Sequence, residues 1–202
     1  DGDGDVITTT THQFLMSVFL NNGDGTFQPR ITYPVGFYPR DVFVGDLNGD
    51  GYGDIVVSNQ GSETTFVQGS VTIYMNQKNG SFNDRQDFQC SGMPIGVMIT
   101  DIDGDGNPDI MASNHFGGSG IDLWRNRGDG IFNFRETILV NRPVDFTVAD
   151  IDDDGDGDII SLPWFGNTID ISLNDKATLK GLVFNDLDSN GVRNTDEPGL
   201  EE

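Results

Sequence analysis

The chain has 202 residues, and its 33 acidic and 11 basic side chains give a formal charge of −22 at neutral pH. This charge argues against nucleic acid and against an anionic membrane as partners, because both are polyanions, and it suits a protein that binds cations. The 27 glycines are typical of a turn-rich all-β protein, the single cysteine excludes an internal disulfide, and no apolar run approaches the ~18 residues of a membrane-spanning helix.

The chain opens on an incomplete unit. Its first residues, DGDGDV (1–6), match the second half of an acidic loop that occurs in full further along, and a β-branched run follows them. A strand that ends in asparagine comes next (MSVFLN, 16–21), and a turn then leads to a phenylalanine (GDGTF, 23–27). We therefore predict that the first unit lacks its opening strand.

The second unit contains the full pattern. A proline-led run with alternating apolar residues (PRDVFVGD, 39–46) predicts a strand with one buried face. The acidic loop DLNGDGYGDI (46–55) and a β-branched run follow, and then a strand that ends in asparagine (VTIYMN, 71–76). The turn KNGSF (78–82) and a variable strand complete four predicted antiparallel strands.

Two further units repeat the same order. The third has its proline-led strand, acidic loop, asparagine-ended strand and turn at 94–101, 101–110, 121–126 and 128–132. The fourth has the first three of these segments at 143–150, 150–159 and 169–174. The first aspartates of the three complete loops lie 55 and then 49 residues apart, which is the period of propeller blades.

The predicted fold is all-β. Repeated units of four short strands predict a partial β-propeller of about three and a half antiparallel blades, near 1–35, 36–90, 91–140 and 141–176. A β-sandwich is the alternative, although a sandwich does not need equal repeats. Closed propellers have about 4–8 blades, so we expect the chain to be a piece of a longer protein, unless several copies associate to close a ring.

The acidic loops carry the predicted metal sites. Numbered from the first aspartate, each complete loop has oxygen-bearing side chains at positions 1, 3, 5 and 9, a glycine at position 6 and a backbone carbonyl available at position 7. The predicted ligands of the three loops are Asp46, Asn48, Asp50, Tyr52 and Asp54; Asp101, Asp103, Asp105, Asn107 and Asp109; and Asp150, Asp152, Asp154, Asp156 and Asp158. The partial loop at the start adds Asp1, Asp3 and Asp5.

Calcium suits this set of five or six hard oxygens, because calcium accepts 6–8 oxygen ligands in mixed geometry, whereas magnesium demands a stricter octahedron. The loops are not EF-hands, since position 12 holds Val57, Ala112 or Ser161 where an EF-hand needs glutamate. A plain turn rich in aspartate and glycine is the alternative for a single copy, and three copies in register favour the metal. Asp153 replaces the glycine at position 4, and we expect that loop to form, because aspartate adopts left-handed geometry at modest cost.

These motifs resemble FG-GAP/VCBS-type repeats, the calcium-loop blades of integrin-α-like propellers and of many secreted bacterial proteins. The proline-led strand, the loop D-x-[DN]-x-D-G-x-x-D-[IV] and the turn N-x-G-x-G-x-F carry the resemblance over residues 1 to about 176. The turn KNGSF (78–82) departs from the usual glycine spacing. The resemblance implies calcium in the loops and leaves the biological role open, because the family includes adhesins, receptors and appendages of enzymes.

The tail, 177–202, has a different character and is predicted to be a linker and the truncated start of another module. Its oxygen-bearing residues fit the first half and the final glutamate of an EF-hand pattern, with predicted ligands Asp186, Asp188, Asn190, Val192 and Glu197. The strand-like KGLVF before them and the Pro198–Gly199 pair argue against flanking helices. The tail more closely resembles the opening of the B-type repeats of bacterial surface proteins (SdrD-like), which are calcium-binding β-sandwiches.

Other motifs have simpler explanations. The Arg127–Asp129 tripeptide reads RGD, but it occupies the same repeat position as Asn22 to Asp24, so a turn explains it. His12 and His115 lie near no nucleophile motif. An aromatic sugar-binding surface and packing between blades both explain the remaining aromatic residues, with packing favoured, namely Phe37, Tyr38, Trp124, Trp164 and Phe165.

The predicted function is that of a non-catalytic, calcium-binding propeller segment of a secreted or cell-surface multidomain bacterial protein that acts in adhesion or in protein or glycan binding. The alternatives are an accessory substrate-binding domain of a secreted polysaccharide-degrading enzyme and a structural spacer. An extracellular location is expected because such loops need calcium at concentrations far above those in the cytosol. The only predicted cofactor is calcium, and neither nucleic acid nor membrane insertion is expected.

Overall fold

The computed structural model describes residues 2–118, 120–133, 135–165 and 167–174 in full and the backbone of the strand at 179–183. The described residues form fifteen strands in four antiparallel sheets and contain no helix, which confirms the all-β prediction. Within each sheet the strands are neighbours in chain order, so consecutive strands are joined by hairpins.

The first sheet has three strands, β1 (Val6–Thr10), β2 (Leu15–Phe19) and β3 (Ile31–Pro34). The second sheet has four, β4 (Pro39–Gly45), β5 (Asp54–Asn59), β6 (Ser70–Asn76) and β7 (Phe82–Gln89). The third has β8 (Met93–Thr100), β9 (Asp109–Phe116), β10 (Gly120–Trp124) and β11 (Glu136–Ile138). The fourth has β12 (Pro143–Ala149), β13 (Asp158–Pro163), β14 (Asp170–Asn174) and β15 (Leu179–Val183).

Strand β15 lies after residue 176, where the sequence predicts the repeats to end. It pairs antiparallel with β14, with Asn174 opposite Leu179 and Asp170 opposite Val183. The fourth sheet thereby has four strands, like the second and third sheets. The predicted tail ligands, from Asp186 to Glu197, lie outside the described residues.

The four sheets pack face to face in chain order. Between the first and second sheets lie Met16, Val18, Ile55, Val57 and Tyr74. Between the second and third lie Val56, Ile73, Val97, Ile110 and Trp124, and between the third and fourth lie Met111, Ile121, Leu123, Phe146 and Ile159. The middle sheets are therefore covered on both faces.

Burial on both faces explains why the second strand of a unit reads as a continuous apolar run. In β5, Ile55 and Val57 point to the first sheet, whereas Val56 points to the third. All three side chains are fully buried. A strand with two buried faces does not need polar residues at alternate positions, since neither face contacts water.

Candidate functional site

The acidic loops join the first and second strands of each complete unit, and their ninth residue anchors them. Asp54, Asp109 and Asp158 are at most 1% exposed. In Asp54, one carboxylate oxygen accepts the backbone N–H of Leu47 (2.9 Å) and the other accepts that of Asn76 (2.8 Å). The same pair of bonds recurs in the other two loops, so the ninth residue links the loop to the end of the third strand.

The first aspartate of each loop accepts backbone N–H groups from the turn that follows it. In the loop at 46–55, the carboxylate of Asp46 accepts the N–H groups of Asp50 (3.1 Å) and Gly51 (2.7 Å). Asp101 and Asp150 make the corresponding bonds in their own loops. The backbone therefore wraps around a central carboxylate.

The wrapping depends on left-handed backbone at positions 4 and 6. The glycines at these positions in the loop at 101–110 have φ angles of +72° and +88°. Asp153 stands at position 4 of the last loop and adopts a φ of +60°, as the sequence predicts for an aspartate in that place. The loop at 150–159 thus keeps the shape of the other two.

Two of the loops bring three carboxylates to one point. One oxygen from each of Asp101, Asp103 and Asp109 lies within 4.8 Å of the others, and Asp150, Asp152 and Asp158 form an equivalent group. In the loop at 46–55, position 3 is an asparagine, and the side-chain oxygen of Asn48 accepts the N–H of Asp50 (3.0 Å). Positions 1, 3 and 9 are therefore the residues that these loops bring together.

Position 5 makes a local turn instead. The carboxylates of Asp50, Asp105 and Asp154 each accept the N–H of the residue two positions later, at 2.8–3.1 Å. In the partial loop, Asp5 occupies the ninth position and accepts the N–H of Asn21 at 2.8 Å, as the complete loops do. Asp1 lies outside the described residues.

The electrostatics of the loops favour a bound cation. Burial raises the pKa of Asp109 to about 6, although N–H groups from Asn126 and Ile102 stabilise its ionised form. Burial and then the neighbouring carboxylates raise the pKa of Asp152 above its ordinary value. Crowded carboxylates resist ionisation unless a positive charge offsets their repulsion. At positions 1, 3 and 9, every side chain offers an oxygen as a potential metal ligand, and calcium prefers such hard oxygen ligands.

Basic side chains already neutralise part of this charge in two loops. The guanidinium of Arg125 lies 2.5 Å from the carboxylate of Asp103, and the ammonium of Lys78 lies 3.5 Å from that of Asp50. Arg125 thus occupies a position from which it would compete with a cation for Asp103. The sequence-based prediction missed this pair, because the two residues are 22 positions apart.

The asparagine that ends the third strand joins neighbouring sheets. The side-chain amide of Asn126 donates to the carbonyl of Leu47 in the second unit (2.6 Å), and that of Asn174 donates to the carbonyl of Ile102 in the third (2.6 Å). Leu47 and Ile102 are the second residues of acidic loops. Each of these loops is therefore connected to the next unit along the chain.

A cleft lies at the opposite end of the second and third sheets. Because the acidic loops join the first strand to the second, the starts of β4 and β8 and the ends of β5 and β9 lie at the other end of these sheets. The cleft has a volume of about 320 Å³, and we call it the Tyr38 cleft after one of its lining residues, which include Tyr38, Arg40, Gln60, Glu63, Met93 and Phe116. The side-chain oxygen of Gln60 accepts the Nε–H of Arg40 at 2.7 Å.

Exposed aromatic side chains cluster at this end of the sheets. Phe66, Phe116 and Trp164 lie at or after the second strands of their units and are 94%, 42% and 56% exposed. Tyr38 and Phe66 have φ angles of +53° and +55°, which are rare for bulky residues and often mark functional sites. These three side chains are therefore only partly packed between sheets or not packed at all, and their exposed surface is open to contacts with a ligand.

The other aromatic residues and the histidine singled out in the sequence differ in how far they are buried. Trp124 is 3% exposed and packs on Phe88 between sheets, as the packing interpretation predicts, whereas Phe37 and Phe165 are 42% and 65% exposed. His115 is buried with its ring centre 4.7 Å from that of Trp164.

The RGD tripeptide forms a hairpin turn. The N–H of Gly128 bonds to the side chain of Asn126, and the N–H of Ile131 bonds to that of Asp129.

In the part of the chain that the structure describes, no helix is long and apolar enough to cross a membrane.

Comparison with known proteins agrees with this architecture. The model of the FG-GAP-like repeat matches residues 1–57, 64–112 and 101–161, which together make up more than half of the chain. No curated protein matches. Among solved structures, the fold is similar to that of an Agrocybe aegerita lectin that specifically recognises non-reducing terminal N-acetylglucosamine, with a TM-score of 0.54 and 25% identity.

The similarity to the lectin covers 83% of this chain and 46% of the lectin, so the chain spans less than half of the lectin's length. Four antiparallel sheets stacked in chain order, each beginning at an acidic loop or at a proline-led strand, are consistent with the blades of a propeller. Both the architecture and the matched repeats lead to the same assignment: the chain belongs to the FG-GAP-like repeat family.

Proposed function

We propose that this chain is a calcium-binding, non-catalytic, carbohydrate-binding propeller segment of a secreted or cell-surface multidomain bacterial protein that acts in adhesion. The observation that carries the proposal is that the two ends of the sheets carry two different kinds of candidate site. One end holds the repeated carboxylate loops, and the other holds the Tyr38 cleft with its aromatic surroundings.

The calcium part of the proposal rests on the convergence of three carboxylates in each of two loops. Residues at positions 1, 3 and 9 would hold the ion, and the ion would supply the positive charge that offsets their repulsion. A cation that binds only the folded loop stabilises the fold in proportion to its concentration. Extracellular calcium concentrations match the affinities of about 10⁻⁴–10⁻³ M that such modules have, which supports a location outside the cell.

The carbohydrate part rests on the chemistry of the Tyr38 cleft. Tyr38, Met93 and Phe116 offer apolar surface to the C–H face of a sugar ring, and Arg40, Gln60 and Glu63 offer planar polar groups to its hydroxyls. This combination of apolar walls and a few polar groups is typical of small-molecule sites. The similarity to a lectin supports a glycan over a protein as the ligand.

Calcium binding is tested by calorimetry and by thermal unfolding with and without a chelator. We expect calcium to raise the melting temperature, and the double substitution Asp101→Ala with Asp105→Ala to remove one site and leave the others. The control, Asp129→Asn with Asp145→Asn, removes the same charge outside the loops and should keep every site. A melting temperature that does not respond to calcium contradicts this part of the proposal.

Carbohydrate binding is tested on a glycan array that includes terminal N-acetylglucosamine, followed by titration of the best ligand. We expect Phe116→Ala to weaken binding about fivefold, because an aromatic contact contributes roughly 1 kcal/mol. Phe27 is exposed to a similar degree (45%) at the other end of the first sheet, so Phe27→Ala is the matched control. An array without a ligand, or equal losses in both variants, would contradict a glycan site in this cleft.

The same cleft would serve an accessory domain of a secreted polysaccharide-degrading enzyme. Binding to the interior of long polysaccharides, with no preference for chain ends, would favour that role over adhesion. The array distinguishes the two roles when it carries both short terminal glycans and polymers.

A further inference from the structure

A second cleft lies between β7 of the second sheet and the hairpin that joins β10 to β11 in the third sheet, and its lining residues differ from those of the Tyr38 cleft. Its volume is about 420 Å³, which is within the range of small-molecule sites. We call it the Arg127 cleft, and its lining residues include Phe88, Gln89, Arg127, Phe132, Asn133 and Arg135. The rings of Phe88 and Phe132 form one apolar wall, with centres 5.8 Å apart and planes at 78°.

Two guanidinium groups line this cleft. The Nε–H of Arg127 donates to the side-chain oxygen of Asn133 at 2.7 Å, which orients the guanidinium. Among the described residues, no carboxylate lies within 4.0 Å of Arg127, although the chain has three acidic side chains for each basic one.

Arg135 pairs with a fully buried carboxylate, because its Nη1 donates to both oxygens of Asp122 at 3.5 and 3.4 Å. Its guanidinium is 3.4 Å from the carboxylate of Asp122, and that carboxylate already accepts hydrogen bonds from Ser91 (2.6 and 2.8 Å) and Thr137 (2.8 Å). Asp122 therefore offsets part of the charge of Arg135, and Arg127 is the main positive group of the cleft. The cleft thus presents positive charge beside aromatic surface in a protein of strongly negative net charge.

We propose that the Arg127 cleft binds a single carboxylated sugar, of the uronic acid type, at the end of a glycan. The guanidinium of Arg127 pairs with the carboxylate in the two-pronged geometry that arginine favours, and Arg135 adds positive charge. Phe88 and Phe132 contact the C–H face of the sugar ring. The amides of Gln89 and Asn133 bond to its hydroxyls.

The net charge of the whole molecule further limits which acidic glycans can bind in this cleft. A net charge of −22 repels long polyanionic chains, so a polymer of uronic acids is disfavoured. A glycan with one carboxylate at its end carries little negative charge, so it contacts the local positive charge without strong repulsion from the rest of the protein. This site is separate from the Tyr38 cleft, so either site stands if the other fails.

The test compares methyl β-D-glucuronide with methyl β-D-glucoside, which differ only in the carboxylate, by titration followed by NMR on the whole chain with calcium saturating. We expect the glucuronide to bind about tenfold more tightly than the glucoside, and added salt to weaken its binding. We expect the substitution Arg127→Asn to abolish this preference. That variant should fold, because the first unit carries Asn22 at the same place in the same turn.

Arg30 is exposed and does not line the cleft, so Arg30→Asn makes the same change of net charge and should keep the preference. Equal binding of the two sugars, or equal loss in both variants, overturns the proposal. A preference that survives Arg127→Asn also overturns it, because it would place the carboxylate on calcium in a loop. Equally tight binding of N-acetyl-aspartate amide would assign the cleft to acidic peptides and overturn a sugar ligand.

Discussion

Single asparagine side chains connect neighbouring sheets of this protein. The side-chain amide of Asn126 donates to the carbonyls of Leu47 and Pro108 at 2.6 and 2.9 Å, and the bond to Leu47 is buried whereas the bond to Pro108 is partly buried. Asn76 holds the same place in the second unit, but its side-chain amide bonds within that unit, where it donates to the carbonyl of Gly53 and accepts the N–H of Gly80. Asparagines at the same repeat position therefore differ in whether they bond to a neighbouring sheet or within their own unit.

The substitution Asn126→Ala is expected to lower the free energy of unfolding by about 2–3 kcal/mol, because it leaves buried carbonyl groups without a donor. Asn76→Ala, the matched control, is expected to cost about 1 kcal/mol, since only a contact within one sheet is lost. Urea unfolding of both variants measures the difference. Equal losses would show that the bond to Leu47 contributes little to the contact between sheets.

His115 makes stability depend on pH. Burial, followed by the positive charge of Arg142, lowers the pKa of this histidine below its ordinary value of 6.5. The unfolded chain therefore binds the proton more readily than the folded chain, and the stability that the neutral ring contributes is lost as the pH falls below about 6.5.

We expect His115→Phe to reduce the fall in unfolding free energy between pH 7 and pH 5 relative to the unmodified protein. His12→Phe, which changes an exposed histidine, is the control. Urea unfolding at several pH values with calcium saturating provides the measurement. A fall that is unchanged in the His115 variant would contradict the burial argument.

At the scale of a single element, a basic side chain beside the acidic loop at 101–110 would compete with a cation for one of the loop's carboxylates. Arg125 lies on the adjacent hairpin and pairs with Asp103, which is one of the three converging carboxylates. The other units have Leu20, Met75 and Leu173 at the corresponding position before the asparagine. The pair is partly exposed, so we expect it to lower the affinity of the loop for a cation without blocking the site.

The substitution Arg125→Leu is expected to raise the calcium affinity of this loop by on the order of tenfold, because it removes a positive charge beside a ligand. The fourth unit has leucine in this place, so the hairpin should accept the change. Calorimetry resolves the affected site when the experiment is repeated in the Asp101→Ala and Asp105→Ala background, where the effect should disappear. An unchanged affinity would mean that Arg125 swings away at no cost.

At the scale of the whole molecule, stability comes from the stacking of sheets, and Cys90 reports on it. Cys90 is fully buried in the core between the second and third sheets, and burial raises the pKa of its thiol well above its ordinary value. A thiol that is both inaccessible and protonated reacts only when the sheets separate.

We expect a thiol reagent at pH 8 to label Cys90 slowly, and calcium to slow the reaction further. Asn126→Ala should speed labelling, because it removes a buried bond between the second and third sheets. Asn174→Ala, which removes a bond between the third and fourth sheets, should have a smaller effect. Mass spectrometry over time gives the rates, and rapid labelling of the unmodified protein would contradict the buried position of Cys90.

The fold and the loops were predictable because they depend on local, repeated patterns. Alternating apolar residues in the proline-led strands and the spacing of aspartate and glycine in the loops recur in register, so each copy supports the others. Even the left-handed backbone at Asp153 followed from its place in the loop. The sequence indicated a strand at KGLVF but placed it in the tail, and the pairing of β15 with β14 became visible only in the structure.

By itself, the sequence determined the all-β class, the order of strands in each unit and the repeated aspartate and glycine positions of the loops, since all of these follow from residue types at fixed spacings. Only the tertiary structure decided which positions converge, namely 1, 3 and 9, and which make a local turn. It alone placed Arg125 beside Asp103, joined Asn126 to Leu47 and formed the two clefts from residues of different sheets. The physical reason is that these contacts depend on how one sheet or hairpin packs against another, and no short-range pattern encodes that geometry.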